Sequence, residues 1–514
     1  MTEASEGLYT SLFSQLRNKR IGIYGLGREG RSSLEFLLRH KDLISPAAIL
    51  CADDQKPAME GELALQLKDP LVSTCFEEQS RRVFIESDLV LISPGIAVLD
   101  QETEVRDGYF RFADWPETAV TSQMDLFLRH APGHLIGVTG TKGKSTTATV
   151  LSALLNAAGC RTSLAGNIGV PIWDVWAEMS SDSYAAIELS SHQLQYCLGA
   201  PEIFAITNFY PEHLDHYHSY EAYLNAKLNG LRFCRRPEAA GPRNSREPVF
   251  VLNLMDDEVV SWALPLLEKV RPRVITVQKG TKKREIGMAV WKQLSVEDDR
   301  LFDLQQQEET LLDLSENVHL LGKHLRYDAA LAAACVIAAG LPQEQLGEGL
   351  SQFIGLPHRT EKIGVFHGIE FYNDSIATIP QAALLAIEAL GERVKTIIVG
   401  GMSRGLEFDE FVRELLESSL QTVICLPETG TEIRDLLVRY GAEAKGIKIF
   451  MARAMEEAVR LAYANTPEGS ICLLSPAASS YNIYKNFEER GDHFRKAVVN
   501  YGTGDADQLV LGSR

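Results

Sequence analysis

Eight consecutive residues carry the sharpest chemistry in this chain. Thr139-Gly140-Thr141-Lys142-Gly143-Lys144-Ser145-Thr146 follows the apolar run His134 to Val138 and opens a helical pattern that reaches Ala158. In such a strand, glycine-rich turn and helix start, backbone N–H groups can meet phosphate oxygens. A lysine like Lys144 can balance β- and γ-phosphate charge, and a hydroxyl like that of Ser145 can ligate Mg2+. The pattern predicts ATP on Gly140 to Thr146, although Val138 stands where the strict phosphate-loop pattern has its first glycine. A second turn, Gly25-Leu26-Gly27-Arg28-Glu29-Gly30, lies between a strand and a helix pattern, with Asp53 closing the next strand. Taken alone it suggests a dinucleotide such as NAD, with the acidic residue on a ribose hydroxyl; the alternative is a turn whose glycines serve only strand–helix packing. Glu188, at the end of a strand pattern, could add a Mg2+ contact or be a cap or ion pair. His213-Leu214-Asp215-His216 could be a metal cluster or loop chemistry, and Lys227 on the following helix could be a solvated lysine.

Apolar strand-like runs alternate with helical patterns from end to end, which predicts an α/β protein with mainly parallel sheets. With 514 residues the chain is too long for one core, and we expect three domains: 1–118, Rossmann-like; 119–355, a central ATPase; and 356–514, again Rossmann-like. Two polar stretches, 235–248 and 279–309, look like inserted loops or hairpins. The formal charge of −18 disfavours general attraction to nucleic acid or anionic lipid. The eight cysteines are scattered without CxxC or Cys/His metal spacing, the start lacks a signal-peptide pattern, and no apolar run reaches membrane-spanning length. These features lead us to expect a cytoplasmic protein with no membrane insertion.

TGTKGKST, then GNIG (Gly166 to Gly169), ELSSHQL, TNFYPEHLDHY with Lys227, GLPHR (Gly355 to Arg359), NDS (Asn373 to Ser375) and SPAASSYNIYKNFEERG (Ser475 to Gly491) together resemble the Mur ligase family, in order and over nearly the whole chain. The resemblance implies an ATP-dependent amide ligase of peptidoglycan precursor synthesis, which adds glutamate to UDP-N-acetylmuramoyl-L-alanine through an acyl phosphate, and works as a monomer with two Mg2+ ions. By matching motifs, Thr141, Lys144, Ser145 and Thr146 would cradle phosphate and metal. Glu188 and His213 would each ligate one Mg2+, and Lys227 would carry a carbamate formed with CO2. Asn167, Ser190 and Gln193 fall in substrate-facing segments; Arg28, Glu29, Asp53 and Ser93-Pro94-Gly95 would surround UDP. Arg359 and Asp374 match nucleotide contacts of the C-terminal domain, and Ser480, Tyr481 and Phe487 fall where the family holds glutamate.

Several positions depart from the family pattern. Ile376 stands where Lys usually follows NDS, and Arg404 takes the place of a glutamate-binding lysine. His324-Leu325 replaces an HN pair that contacts adenine, and His192 occupies a position that is usually aromatic. NDSIAT and GREGR look more like a subgroup that includes ligases adding L-glutamate, so D-glutamate is favoured with L-glutamate as the alternative. An NAD-dependent oxidoreductase would leave TGTKGKST unexplained. A non-catalytic, nucleotide-gated binding protein would leave Glu188, His213 and Lys227 without purpose. Folate-polyglutamate ligases share the ATPase core, but the first glycine motif and KNFEERG disfavour them.

Overall fold

In a computed structural model the alternating runs assemble into three sheets. The structure describes residues 3–504 except 97, 99–101, 169–170, 235–246, 307–309, 318 and 321, so most of the first expected insertion (235–248) and Gly169 of GNIG lie outside the described residues. Packing divides the chain into two compact units: Met1–Asn317 with His324–Phe353, and Val318–Lys323 with Ile354–Arg514.

The first unit holds two sheets. One has the order Val72–Phe76, Ala48–Asp53, Arg20–Tyr24, Leu89–Ile92, Trp115–Thr121, Tyr109–Phe112, Thr103–Arg106; its first five strands are parallel and its last two add an antiparallel meander. Strand order reverses at Arg20–Tyr24, so the glycine turn and Ser93-Pro94-Gly95 both leave the carboxyl edge at the switch point, where open α/β sheets bind ligands. The expected boundary at 118/119 falls inside Trp115–Thr121; the first sheet ends at Thr121. The other sheet orders Thr310–Asp313, Arg300–Asp303, Lys292–Glu297, Arg273–Lys279, Val249–Asn253, Ile203–Ile206, His134–Thr139, Tyr184–Glu188, Thr162–Gly166, with seven parallel strands and an antiparallel hairpin extension. The second expected insertion, 279–309, thus supplies sheet-edge strands rather than loop alone. Its central strands are near-continuous aliphatic runs because helices cover both faces.

These two sheets share one hydrophobic core. Phe36 of the helix Arg28–Arg39 stacks on Trp173 at 4.1 Å, and Phe127 meets Trp176 edge-on. Asp125, buried beside Arg129, accepts the Leu198 and Gly199 N–H groups at 2.8 and 2.7 Å.

A Cβ at Gly30 would collide with the Gly25 carbonyl, whereas one at Gly27 would meet nothing. Gly30→Ala should therefore lower the unfolding free energy by about 2–3 kcal/mol through overpacking, and Gly27→Ala by under about 1 kcal/mol. Urea unfolding checks the pair; equal effects would contradict the packing role of Gly30.

In the second unit Glu361–Phe366 and Ile369–Asn373 form a hairpin, and Ile369–Asn373, Ile471–Leu474, Val394–Val399, Thr422–Cys425 and Lys448–Met451 run parallel. Asp374, Gly400-Gly401 and Ser475 follow three of these strands at the carboxyl edge.

Candidate active site

The turn after His134–Thr139 is clamped to the end of the neighbouring strand Ile203–Ile206. Thr141 N–H donates to the Asn208 carbonyl (2.9 Å), Lys142 N–H donates to Asn208 Oδ1 (2.8 Å), and the Thr207 hydroxyl donates to the Lys142 carbonyl (2.5 Å). Thr141 and Lys142 thus spend their amides inside the protein. The amides that suit an anion are those in the first turn of the helix Lys144–Ala157, which no carbonyl of the helix can reach. Ser145 and Thr146 sit in that turn. Gly143, at φ 83° and with Asp328 carboxylate oxygens where a Cβ would lie, must be glycine. The Thr141 hydroxyl packs between Tyr210 N–H and the Tyr223 hydroxyl, and the Lys142 ammonium pairs with Glu212 at 2.5 Å.

Lys144 Nζ donates to the Thr141 carbonyl at 2.8 Å, and Lys227 Nζ to the Gly140 carbonyl at 2.6 Å, so both amines lie along one turn. Lys227 is 2% exposed, with its ammonium over the Tyr223 ring. Burial, then repulsion from Lys144, pushes its pKa well below that of an ordinary lysine, so the solvated-lysine alternative fails. Glu188, also 2% exposed, accepts from Asn167 Nδ2 at 3.1 Å through Oε1, while its buried Oε2 has no partner. An orphaned carboxylate oxygen and the unpartnered, buried Thr146 hydroxyl are hard donors that fit Mg2+. Among the described residues no three His, Cys, Asp or Glu side chains form a metal-holding group, so phosphate oxygens and water would have to complete any coordination shell.

His213 adopts φ 57° just before the short helix Leu214–Tyr217; burial lowers its pKa against the opposing charge of Glu212, and Lys227 and Lys144 add to the lowering. His192 fills its usually aromatic position as a ring would: it packs against His213 and His216 at 4.7 and 4.3 Å. Burial, aided by those two neighbours, drives its pKa down to about 3 and keeps it neutral.

At the carboxyl edges of the first unit's two sheets, four residues expected to contact ligands bond within the protein itself. Asp53 accepts Leu26 N–H (2.6 Å) and Gln55 N–H (3.0 Å), which ties its carboxylate to the glycine turn as well as to its own loop. The Ser93 hydroxyl donates to the Gly25 carbonyl at 2.6 Å, and Ser190 and Gln193 form a capping box on the helix Ser191–Gln195. Gln193 Nε2 also donates to Glu29 Oε1 at 2.9 Å; burial raises the Glu29 pKa, and its Oε2 has no partner. Arg28 and Gly95 lie exposed at the carboxyl edge of the first sheet.

In the second unit, Asp374 is buried, accepting Thr360 N–H at 3.0 Å and the Ser475 hydroxyl at 2.7 Å, and burial pushes its pKa up to about 6. Arg359, whose charge favours ionised Asp374, has a buried Nε without a partner. Met402 N–H donates to the Ser479 carbonyl, joining the Arg404 loop to the Ser480 loop; Arg404 is exposed, its guanidinium 5.3 Å from the Tyr481 ring centre. Ser480 is buried, Tyr481 is 58% exposed, and Phe487 lies against His358.

Residues 138–336 match the family model of the Mur ligase middle domain, and residues 358–478 that of the Mur ligase glutamate ligase domain. The chain belongs to the Mur ligase family. Members are ATP-dependent amide ligases that use Mg2+, and so is this one. It is 31% identical, over 95% of its length and 99% of the relative's, to a UDP-N-acetylmuramoylalanine–D-glutamate ligase of Caldanaerobacter subterraneus, and 30% identical to one of Symbiobacterium thermophilum over 93% and 98%. Its fold matches that of UDP-N-acetylmuramate-alanine ligase from Thermotoga maritima, with a TM-score of 0.53 at 17% identity, covering 95% of this chain and 100% of that one.

Three residues of this Mur ligase were not singled out by the sequence. Asn208 clamps the turn at Thr141 and Lys142, and its signal is its place just after the strand beside that turn. Asp328 lies against Gly143, which nothing in the local sequence announces. Arg490 sits one helical turn after Phe487, and only its burial makes it unusual.

Proposed function

We propose that this Mur ligase joins glutamate, as the D enantiomer, to the alanyl carboxylate of UDP-N-acetylmuramoyl-L-alanine, converting ATP to ADP and phosphate. The observation that carries this reading is the convergence of Lys144, the buried amine of Lys227 and the open oxygen of Glu188 beside an anion-binding helix start. The names of full-length relatives support the choice of substrate. A carboxylate is a poor electrophile, so an alanyl oxygen attacks the γ-phosphorus and ADP leaves. The glutamate amine then attacks the acyl carbon of the acyl phosphate, and phosphate departs from the tetrahedral intermediate. Lys144 and the first-turn amides at Ser145 and Thr146 face the charge that builds on the phosphoryl group. Ser145, Thr146, Glu188 and His213 would hold Mg2+, which would supply positive charge against the phosphates.

In this reading the neutral Lys227 amine attacks CO2, a proton passes to water, and the resulting carbamate is a metal-binding anion; the depressed amine pKa supports it because only the neutral amine attacks CO2. Arg28, Glu29 and Gly95 line the UDP side, with Asp53 and Ser93 shaping the loop that carries them; Asn167 and Gln193 lie on the substrate side of Glu188. Arg359 and Asp374 serve the nucleotide, and Arg404, Ser480, Tyr481 and Phe487 receive glutamate. The protein works as a cytoplasmic monomer without a nucleic-acid partner.

The test is ADP release with UDP-N-acetylmuramoyl-L-alanine and Mg2+, comparing the two enantiomers of glutamate. Strong preference for L-glutamate would overturn the enantiomer and keep the ligase; no response to either would defeat the glutamate assignment. Arg404→Lys should raise the KM for glutamate about tenfold, because a guanidinium grips a carboxylate through two parallel hydrogen bonds and an ammonium does not. An unchanged KM would remove Arg404 from the site.

A further inference from the structure

The second unit buries one arginine at the meeting point of its carboxyl-edge loops. Arg490, on the helix Phe487–Thr503, is 1% exposed. Its Nε donates to the Ser375 hydroxyl at 3.0 Å, Nη2 to the Ser375 carbonyl at 2.8 Å, and Nη1 to the Ala478 carbonyl at 2.9 Å. A Cβ on Gly401 would come within 3.0 Å of Nη1, so the loop after Val394–Val399 also closes on the guanidinium. The helix itself is tied in, since the Ser375 hydroxyl donates to the Phe487 carbonyl at 2.8 Å.

Every acceptor of Arg490 is neutral. Among the described residues no carboxylate forms an ion pair with it, and Tyr484 is the only titratable group whose charge influences it, while burial lowers its pKa to about 10. Buried charges are ordinarily paired, because taking an ion out of water without an opposite charge is costly. A hydrogen-bonding clamp on two carbonyls and a hydroxyl needs only neutral donors, such as an amide. The retained positive charge therefore calls for an anion that the protein does not supply.

We propose that Arg490 is the positioning residue of the amino-acid site: it fixes the Ser375, Gly401 and Ala478 loops, and its unpaired charge favours the carboxylates of glutamate held by the neighbouring segments. The inference rests on the glutamate reading above. The three loops carry or adjoin Ile376, Arg404 and Ser480, and Phe487 lies one turn away on the same helix, so Arg490 acts on each segment assigned to glutamate without being exposed to it.

Arg490→Gln keeps hydrogen-bond donors and removes the charge; Arg490→Lys keeps the charge and loses the fork. Steady-state kinetics on the full chain, with thermal unfolding of each variant, should show the KM for glutamate rising at least about thirtyfold in Arg490→Gln and less than about tenfold in Arg490→Lys, with the KM values for ATP and the UDP-linked substrate within about threefold of wild type. Equal rises in both variants, parallel rises in all three KM values, or an unchanged KM for glutamate in Arg490→Gln would overturn the charge role. Should Arg490→Gln not fold, Arg490→Lys decides alone: a KM for glutamate under about tenfold above wild type supports the role, and a larger rise overturns it. Wild-type turnover in the same assay separates the two levels. Its absence with both enantiomers sinks the glutamate reading and this inference with it, whereas turnover with an unmoved KM in Arg490→Gln sinks Arg490 only.

Discussion

Lys144→Ala is expected to form ADP at least about a hundredfold more slowly than wild type, a loss of about 2.7 kcal/mol of transition-state stabilisation. The lysine leads the helix Lys144–Ala157, and its amine is already held over the turn by the Thr141 carbonyl. Phosphoryl transfer depends on fixed positive groups where charge develops, and such a group is worth more in a partly enclosed site than in water. Since Thr141 and Lys142 amides are committed to Asn208, and the Lys142 ammonium to Glu212, little else on the turn can replace it. Single-turnover ADP formation under saturating ATP measures the effect on chemistry. Near-wild-type turnover would remove Lys144 from the reaction.

Lys227→Ala should lose more, about a thousandfold, and should regain part of the activity when a short-chain carboxylic acid is added. The substitution deletes a buried side chain and, in the carbamate reading, an anion that the active turn requires. A small carboxylate fits the vacated space and restores the charge. Burial and Lys144 depress the amine pKa well below 10.5, which favours the neutral amine that attack on CO2 requires. Removing dissolved CO2 and bicarbonate should therefore slow the wild-type protein near pH 7, and returning bicarbonate should restore it. Wild-type activity in Lys227→Ala would reduce Lys227 to a packing residue, whereas loss without rescue by any small carboxylate would favour an uncharged structural role.

Local sequence was enough to set the alternation of strands and helices, the strand, glycine-rich turn and helix start around Gly140 to Thr146 and the carboxylate at the end of Tyr184–Glu188, because backbone geometry and side-chain period act over a few residues. Family motifs, which span the whole chain, added Lys227, Arg359 and Arg404. Tertiary packing decided the rest. The glycine turn with Asp53 reads as a dinucleotide site in one dimension, whereas in the fold the carboxylate accepts Leu26 N–H of that turn and Gln55 N–H of its own loop. The expected first and second domains share one core, in which Phe36 of the first stacks on Trp173 of the second across more than a hundred residues of chain. Lys227 becomes an amine of depressed pKa, and Arg490 a buried cation bonded only to neutral acceptors, through neighbours distant in the chain. Desolvation and Coulomb interaction depend on distance in space, which sequence separation does not encode, so the chain order could name the reactive residue types while the fold alone fixed their charge states.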